Sequence, residues 1–340
     1  MGASTQTRQP SLDVFFETIH AFHRTAALKA AIELDMFTGI GEGADTAEAL
    51  ARRMGASERG TRILCDYLTV IGFLVKTGDC YALSADSKMF LDRRSPAYVG
   101  GAIEFLLSPT QIEAFRDLAA VVRKGSTMMG SEGIVAPEHP VWVKFARAMA
   151  PLMRLPSDLL AGLVGADSGG KCKVLDMAAG HGLYGIAIAK RNPKAEIVAL
   201  DWPNVLTAAQ ENARAAGVAE RYSTIAGSAL DVDYGSGYDL ILLTNILHHF
   251  DPPAIEKMLR KVYAALKPGG RAAILEFIPK EDRVSPPVAA QFSMMMLATT
   301  PGGDAYTFSQ YQRMLCEAGF TTSELNDLPP AFFRAVIALK

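Results

Sequence analysis

Residues Lys173 to Asp201 read KVLDMAAGHGLYGIAIAKRNPKAEIVALD. Val174 and Leu175 form an apolar run that ends on Asp176. A loop of small residues follows (Ala178, Ala179, Gly180, His181, Gly182), then a helical pattern through Leu183, Ile186, Ala187 and Ala189. A second apolar run, Ile197 to Leu200, ends on Asp201. Strand, glycine turn, helix, strand is the first unit of a doubly wound α/β sheet. Glycines in such a turn admit a ligand close to the backbone, beyond the carboxyl ends of the strands.

The turn also spells Gly180-x-Gly182-x-x-Gly185, with an acid about 20 residues on, the pattern of a dinucleotide fold. Two features favour S-adenosylmethionine (SAM) over a nicotinamide. Asp176 lies just before the glycines, where it suits a cationic amino-acid group and would repel a pyrophosphate. The unit also lies mid-chain, behind roughly 170 residues of mostly helical pattern, whereas a dinucleotide domain supplies its partner strands early.

The 340 residues are enough for two domains with real cores. A 49% hydrophobic content with a net charge of −2 describes a globular chain with no electrostatic case for nucleic acid or a membrane surface. No run approaches a membrane span. The start, MGASTQTRQPSLD, lacks a signal peptide's apolar core, and its Gly2 has no basic support for acylation, so a cytoplasmic protein is expected. Cys65, Cys80, Cys172 and Cys316 lack metal spacing and read as free thiols.

Ser11 is positioned to cap a long helix whose apolar residues, from Leu12, Phe15, Phe16 and Ile19 to Leu34, recur every three or four positions. That aromatic stripe is broad for a surface helix and predicts burial against a second copy. His20 and His23 share the helix without a third ligand, so no metal site is expected. Asp45-x-x-Glu48 reads as a capping box, Ser57 as the start of a further helix, and Phe73 to Leu83 as a hairpin turning at Gly78. Helix, helix, hairpin is a winged-helix arrangement. Residues 1–100 carry 11 Lys plus Arg against 12 Asp plus Glu. A DNA-reading face is basic, so this scaffold is assigned to dimerisation.

Residues 101–168 read as a helical region, with Trp142, Phe145 and Met149 as pocket candidates beside the core. Ala166 to Gly170 reads as a linker into a catalytic domain over 169–340. There the strand–helix rhythm continues. Tyr222 to Ala226 leads to Gly227-Ser228, and Tyr238 to Leu243 is a continuous apolar strand that runs out into Thr244-Asn245-Ile246-Leu247-His248-His249. Lys267-Pro268-Gly269-Gly270 turns into a strand ending near Glu276. A helix and two strands close the chain.

In this order the motifs resemble a class I SAM-dependent methyltransferase. More narrowly, the chain is similar to small-molecule O-methyltransferases that include caffeate and acetylserotonin methyltransferases and antibiotic-tailoring enzymes. The resemblance covers the winged-helix region, glycine loop, ALDWP, LHHF, LKPGG, LEFIP and TPGGDAYT. It implies a Rossmann-like catalytic domain, a homodimer formed through the N-terminal domain, and SAM as methyl donor. Ala178, Gly180 and Gly182 would hold the methionine part of SAM, with Asp176 near its amino group. Asp201 would accept the ribose hydroxyls and Trp202 would flank the adenine. Gly227, Ser228, Thr244 and Asn245 complete the cofactor set, although the family places an acid where this chain has Ser228. His248 aligns with the catalytic base, with His249 as the alternative, and Glu276 matches a glutamate that holds the base. A second such glutamate falls at Ala305, where Asp304 is the candidate substitute. Trp142, Phe145, Met149, Phe292, Met295 and Met296 form the expected acceptor pocket, whose apolar lining predicts an aromatic acceptor. Phe15, Phe16 or His20 of a second copy would close it.

The competing readings are a C- or N-methyltransferase needing no base, a SAM-binding winged-helix regulator, and an NAD-dependent oxidoreductase.

Overall fold

The computed structural model describes residues 10–340; the acyl-site reading at Gly2 lies outside them. The chain forms two compact units, one ending at Ile103 and one running Glu104–Lys340.

In the first unit a helix runs Asp13–Glu33. Its cap position is Leu12 rather than Ser11, whose hydroxyl instead accepts from the Asp13 N–H at 3.3 Å. Only Ala31 and Ile32 of this helix are buried, while Phe15, Ile19 and Phe22 are 57–70% exposed. The next cap is also one residue off the expected box. Thr46, not Asp45, caps the helix Ala47–Met54 by accepting from the Ala49 N–H at 3.2 Å. The cause is the hairpin, because the Asp45 carbonyl accepts from the Tyr81 N–H and Thr46 pairs with Cys80, which holds position 45 extended. Ser57 caps Glu58–Val70 as expected. Strands β1 (Leu74–Thr77) and β2 (Cys80–Leu83) close the wing, and Phe37, Leu50, Leu68 and Tyr81 form the core beneath it.

The second unit is built on a seven-stranded sheet. Its strands are β3 (Cys172–Met177), β4 (Ala195–Asp201), β5 (Tyr222–Ala226), β6 (Tyr238–Thr244), β7 (Leu266–Glu276), β8 (Thr322–Asp327) and β9 (Arg334–Leu339). Their spatial order is β5-β4-β3-β6-β7-β9-β8, with β9 antiparallel to both neighbours and the rest parallel. The chain winds outward one way from β3 and then restarts on its other side with β6. A crevice therefore opens between the carboxyl ends of β3 and β6, the usual ligand position in such sheets.

Burial explains the continuous apolar run in β6. Leu240 to Leu243 are covered on both faces, and Ile255, Met258, Leu259 and Val262 of the helix Pro252–Ala265 are fully buried at i, i+3, i+4 and i+7. Each such side chain contributes about 1.5–3 kcal/mol on leaving water. Lys267 to Gly270, expected as a turn, lies inside β7 as a bulge. Leu266 pairs with Tyr238 and Arg271 with Leu240, leaving four residues opposite one. Ala166–Ser168, within the expected linker, is a single 3-10 turn of the second unit, where Asn192 donates to the Gly170 carbonyl at 2.8 Å and Arg191 pairs with Asp167. No helix among the described residues is long and apolar enough to cross a membrane.

Candidate active site

Two cavities open at the carboxyl edge of the sheet. The first is lined by strand ends and the loops that follow them, namely Ala178 after β3, Asp201 and Trp202 at β4, Gly227 and Ser228 after β5, and Thr244 and Asn245 at β6. The second is almost wholly apolar, with Met149, Phe292, Met295 and Met296 among its walls and His248 on one side. Trp142, Phe145, Asn245 and His249 line both, so the two chambers adjoin through a shared wall. They leave about 800 and 700 Å³ free of protein atoms, open solvent at their mouths included.

In the first cavity Asp201 is 9% exposed. Its carboxylate accepts from the Gly180 N–H at 2.8 Å and the Trp202 N–H at 2.7 Å, one on each oxygen, which leaves a lone pair on each for a ligand hydroxyl. Burial pushes this carboxyl up to about 6, against the pull of those two donors. Ala178 and Asn245 both hold positive φ, 49° and 55°, conformations that cost a side-chain-bearing residue energy and gather at functional sites. The Asn245 Oδ1 atom is buried without a hydrogen-bond partner among the described residues.

Two expected cofactor residues stand behind the wall instead of on it. Asp176 is fully buried, and its Oδ2 accepts from the Gly185 N–H at 3.0 Å in the first turn of the helix Leu183–Arg191. The helix dipole draws the carboxyl there, while burial raises it to about 7. Gly182 serves close packing, since a Cβ there would meet the Tyr222 hydroxyl at 2.5 Å. Gly185 packs likewise against Ile197 and Asp176. Of the three motif glycines, Gly180 alone lines the cavity. His181 is 2% exposed, pulled down to about 4 by burial, and its ring stacks on Phe145 at 6.1 Å. Nothing in its spacing signals that supporting role.

The histidines sit on a single turn, Leu247–His249, beyond β6. Glu276, at the end of the neighbouring β7, is fully buried. Its Oε1 accepts from the backbone N–H groups of Ile246, Leu247 and His248 at 3.0, 2.9 and 3.4 Å, and its Oε2 meets His248 Nδ1. Burial pushes the Glu276 carboxyl up to about 8, against the pull of these donors; in its ionised form it places the His248 hydrogen on Nδ1 and leaves Nε2 with a lone pair. Nε2 lies 3.1 Å from His249 Nε2, and these roles require the hydrogen of that contact to belong to His249. Burial holds both imidazoles well below their ordinary range, so both are neutral at pH 7.

Asp304 does not stand in for the second glutamate. Its carboxylate pairs with Arg283 and accepts from the Ala305 N–H, and only its backbone N–H reaches His248, donating to the carbonyl. The second neighbour of the His248 ring is His249. On the apolar side Phe292 packs edge-on to His248 at 4.7 Å. Met294 is 45% exposed and lies outside the cavity lining. Phe105, Met153, Phe277, Phe333 and Gln111 also line it; they come from separate segments whose convergence no local pattern reveals.

A family model described as an O-methyltransferase domain matches residues 134–321, and one described as an O-methyltransferase dimerisation domain matches residues 16–93. The chain belongs to the O-methyltransferase family. Its methyl donor is SAM. This O-methyltransferase is 53% identical to a crystal structure of a putative O-methyltransferase from Nostoc punctiforme, with a TM-score of 0.95 over 98% of this chain and all of the other. It is 29% identical over 302 residues to the 3-hydroxy-5-methyl-1-naphthoate 3-O-methyltransferase of Streptomyces sahachiroi, covering 87% of this chain and 86% of that enzyme. It is 26% identical to rat acetylserotonin O-methyltransferase, over 97% of this chain and 78% of that one. The chain thus carries a dimerisation domain and a catalytic domain of natural-product type.

Proposed function

We propose that this enzyme methylates a hydroxyl of a small, flat, aromatic molecule held in the apolar cavity, with His248 as general base, and that it works as a homodimer. The observation that carries this is the His248–Glu276 pair on the wall of an apolar chamber that adjoins the strand-end cavity. The strand-end cavity suits SAM, because Asp201 has lone pairs for two hydroxyls and Asn245 has an unpaired oxygen for a donor. Gly180, Asp201, Trp202, Ser228 and Asn245 would hold it. When bound, SAM supplies a methyl group on a positive sulfur, already activated toward an oxygen nucleophile.

The protein's part is alignment and deprotonation. The rings of Trp142, Phe145 and Phe292 hold a flat acceptor and keep out water. Once the acceptor hydroxyl displaces the His249 Nε2–H from it, His248 Nε2 takes the hydroxyl proton, and the resulting imidazolium faces the Glu276 carboxylate, which offsets its buried charge. A second reading rests on His249, whose Nδ1 is buried with no hydrogen-bond partner among the described residues. There Nδ1 takes the proton while Nε2 passes its hydrogen to His248, and the charge again ends beside Glu276. The naphthoate named for the Streptomyces sahachiroi relative fits such a chamber.

For the dimer, the exposed stripe at Phe15, Ile19 and Phe22 lies within or beside the residues matched as a dimerisation domain. The test is a mass-read screen of phenols, naphthols, indoles and quinols with isotope-labelled SAM, run on the wild type, His248→Ala and His249→Phe. Methylation of an aromatic hydroxyl that is lost in His248→Ala supports the base. Undiminished turnover in that variant would reject it.

A further inference from the structure

The motif Ser/Thr-x-x-Gln occurs twice at helix starts in this chain, and its glutamine behaves differently each time. At Thr307, at the start of the helix Phe308–Glu317, the glutamine folds back, the Gln310 oxygen accepting from the Thr307 N–H at 2.9 Å. At Ser108 only half the box forms. The Ser108 hydroxyl accepts from the Gln111 N–H at 3.4 Å, but the Ser108 N–H donates to the Phe105 carbonyl, and the Gln111 carboxamide does not fold back. That carboxamide is 95% buried by residue, lines the apolar cavity, and its Oε1 has no hydrogen-bond partner among the described residues. An amide left unpaired among aromatic rings and methionines costs folding energy that a leucine or methionine there would not. Its local partner was within reach and went to another carbonyl.

We propose that Gln111 is the specificity-determining residue of the acceptor chamber. The inference rests on the reading that this chamber holds the acceptor. It adds that the acceptor carries a second polar group, a hydroxyl or amine besides the one methylated, which donates to the Gln111 oxygen. His248 and Gln111 are then two polar fixed points in an otherwise apolar chamber, and an acceptor with both groups is oriented by both. A mono-functional ring gains burial but leaves the amide unpaired. Selection of this kind is strong because the unmet partner lies on the enzyme.

The test compares 2-naphthol with a panel of dihydroxynaphthalenes in the full-length enzyme, as wild type, Gln111→Met and Gln111→Leu. Methyl transfer is followed by mass, and affinity by calorimetry with S-adenosylhomocysteine present. The wild type should favour at least one diol over the mono-ol in kcat/KM. In either variant that ratio should fall about tenfold, close to 1.4 kcal/mol, mainly through KM. The thermal midpoint of the free Gln111→Met protein should equal or exceed that of the wild type, which also shows that it folds. Equal discrimination by wild type and both variants overturns this inference alone. A wild type that binds and methylates no member of the panel overturns the inference together with the acceptor reading beneath it.

Discussion

Replacing Glu276 with glutamine changes one atom and should stop the enzyme through a tautomer. An amide can face the pair in two ways. If its NH₂ turned toward the backbone, the N–H groups of Ile246, Leu247 and His248 would lose their acceptor, at about 1–3 kcal/mol each. The oxygen therefore stays on that side and the NH₂ faces His248 Nδ1. Nδ1 must then accept, the ring hydrogen moves to Nε2, and the lone pair that would take the proton is gone. Positioned general bases contribute about 10²–10⁴ in rate. We expect kcat to fall about 10²- to 10³-fold, or ~3–4 kcal/mol of barrier. Glu276 does not line the strand-end cavity, so affinity for S-adenosylhomocysteine should stay within about twofold of wild type. His248→Ala should show a similar loss, and the double variant no further loss, as for residues acting as a unit. Rapid-quench formation of S-adenosylhomocysteine gives kcat, and calorimetry gives the affinity. A variant with kcat within about threefold of wild type, or one that only weakens cofactor binding, would refute the tautomer argument.

Asp201→Asn should weaken S-adenosylhomocysteine binding about 10- to 100-fold, since one of two acceptor oxygens is lost. With the Asp201 carboxyl raised to about 6, the wild-type affinity should decline as pH falls through that value, and the variant's should not; calorimetry from pH 5 to 8 checks both. Burial holds His181 at about 4, against about 6.5 when unfolded. Between those values the unfolded chain binds the extra proton, so stability rises with pH across that window and is lost as pH falls toward 4. Denaturant titrations of His181→Gln should show a shallower rise over that window, and an unchanged slope would contradict the assignment. Phe15→Glu combined with Phe22→Glu should turn a dimer into a monomer by light scattering, because each exposed ring covered at an interface contributes about 1.5–3 kcal/mol.

Much of this architecture could be read from spacing alone. The unit Lys173–Asp201, the buried run at β6 and the histidines beyond it stand where periodicity and turn residues put them, because a parallel sheet demands long apolar strands that end in loops. What escaped was direction. Asp176 falls at the expected place in the sequence, but it is not among the cavity's lining residues and one of its oxygens is taken by the Gly185 N–H. Asp304 is adjacent to the position of the missing glutamate, yet Arg283, 21 residues earlier, claims its charge. The cap expected at Asp45 moved to Thr46 because a neighbouring strand took the Asp45 carbonyl. Gln111 drew no reading from the sequence, and only three-dimensional packing discloses that its amide oxygen is spare.

The common wall of Trp142, Phe145, Asn245 and His249 restricts how the enzyme's scope can be re-engineered. If the apolar cavity holds the acceptor and the strand-end cavity holds SAM, as proposed, trimming any of these four to enlarge the first would also loosen the grip on the methyl source, so gains in breadth would arrive with losses in turnover. Phe105, Met153 and Phe333 line only the apolar cavity. A library confined to those three positions can reshape what is methylated while leaving the donor chamber undisturbed.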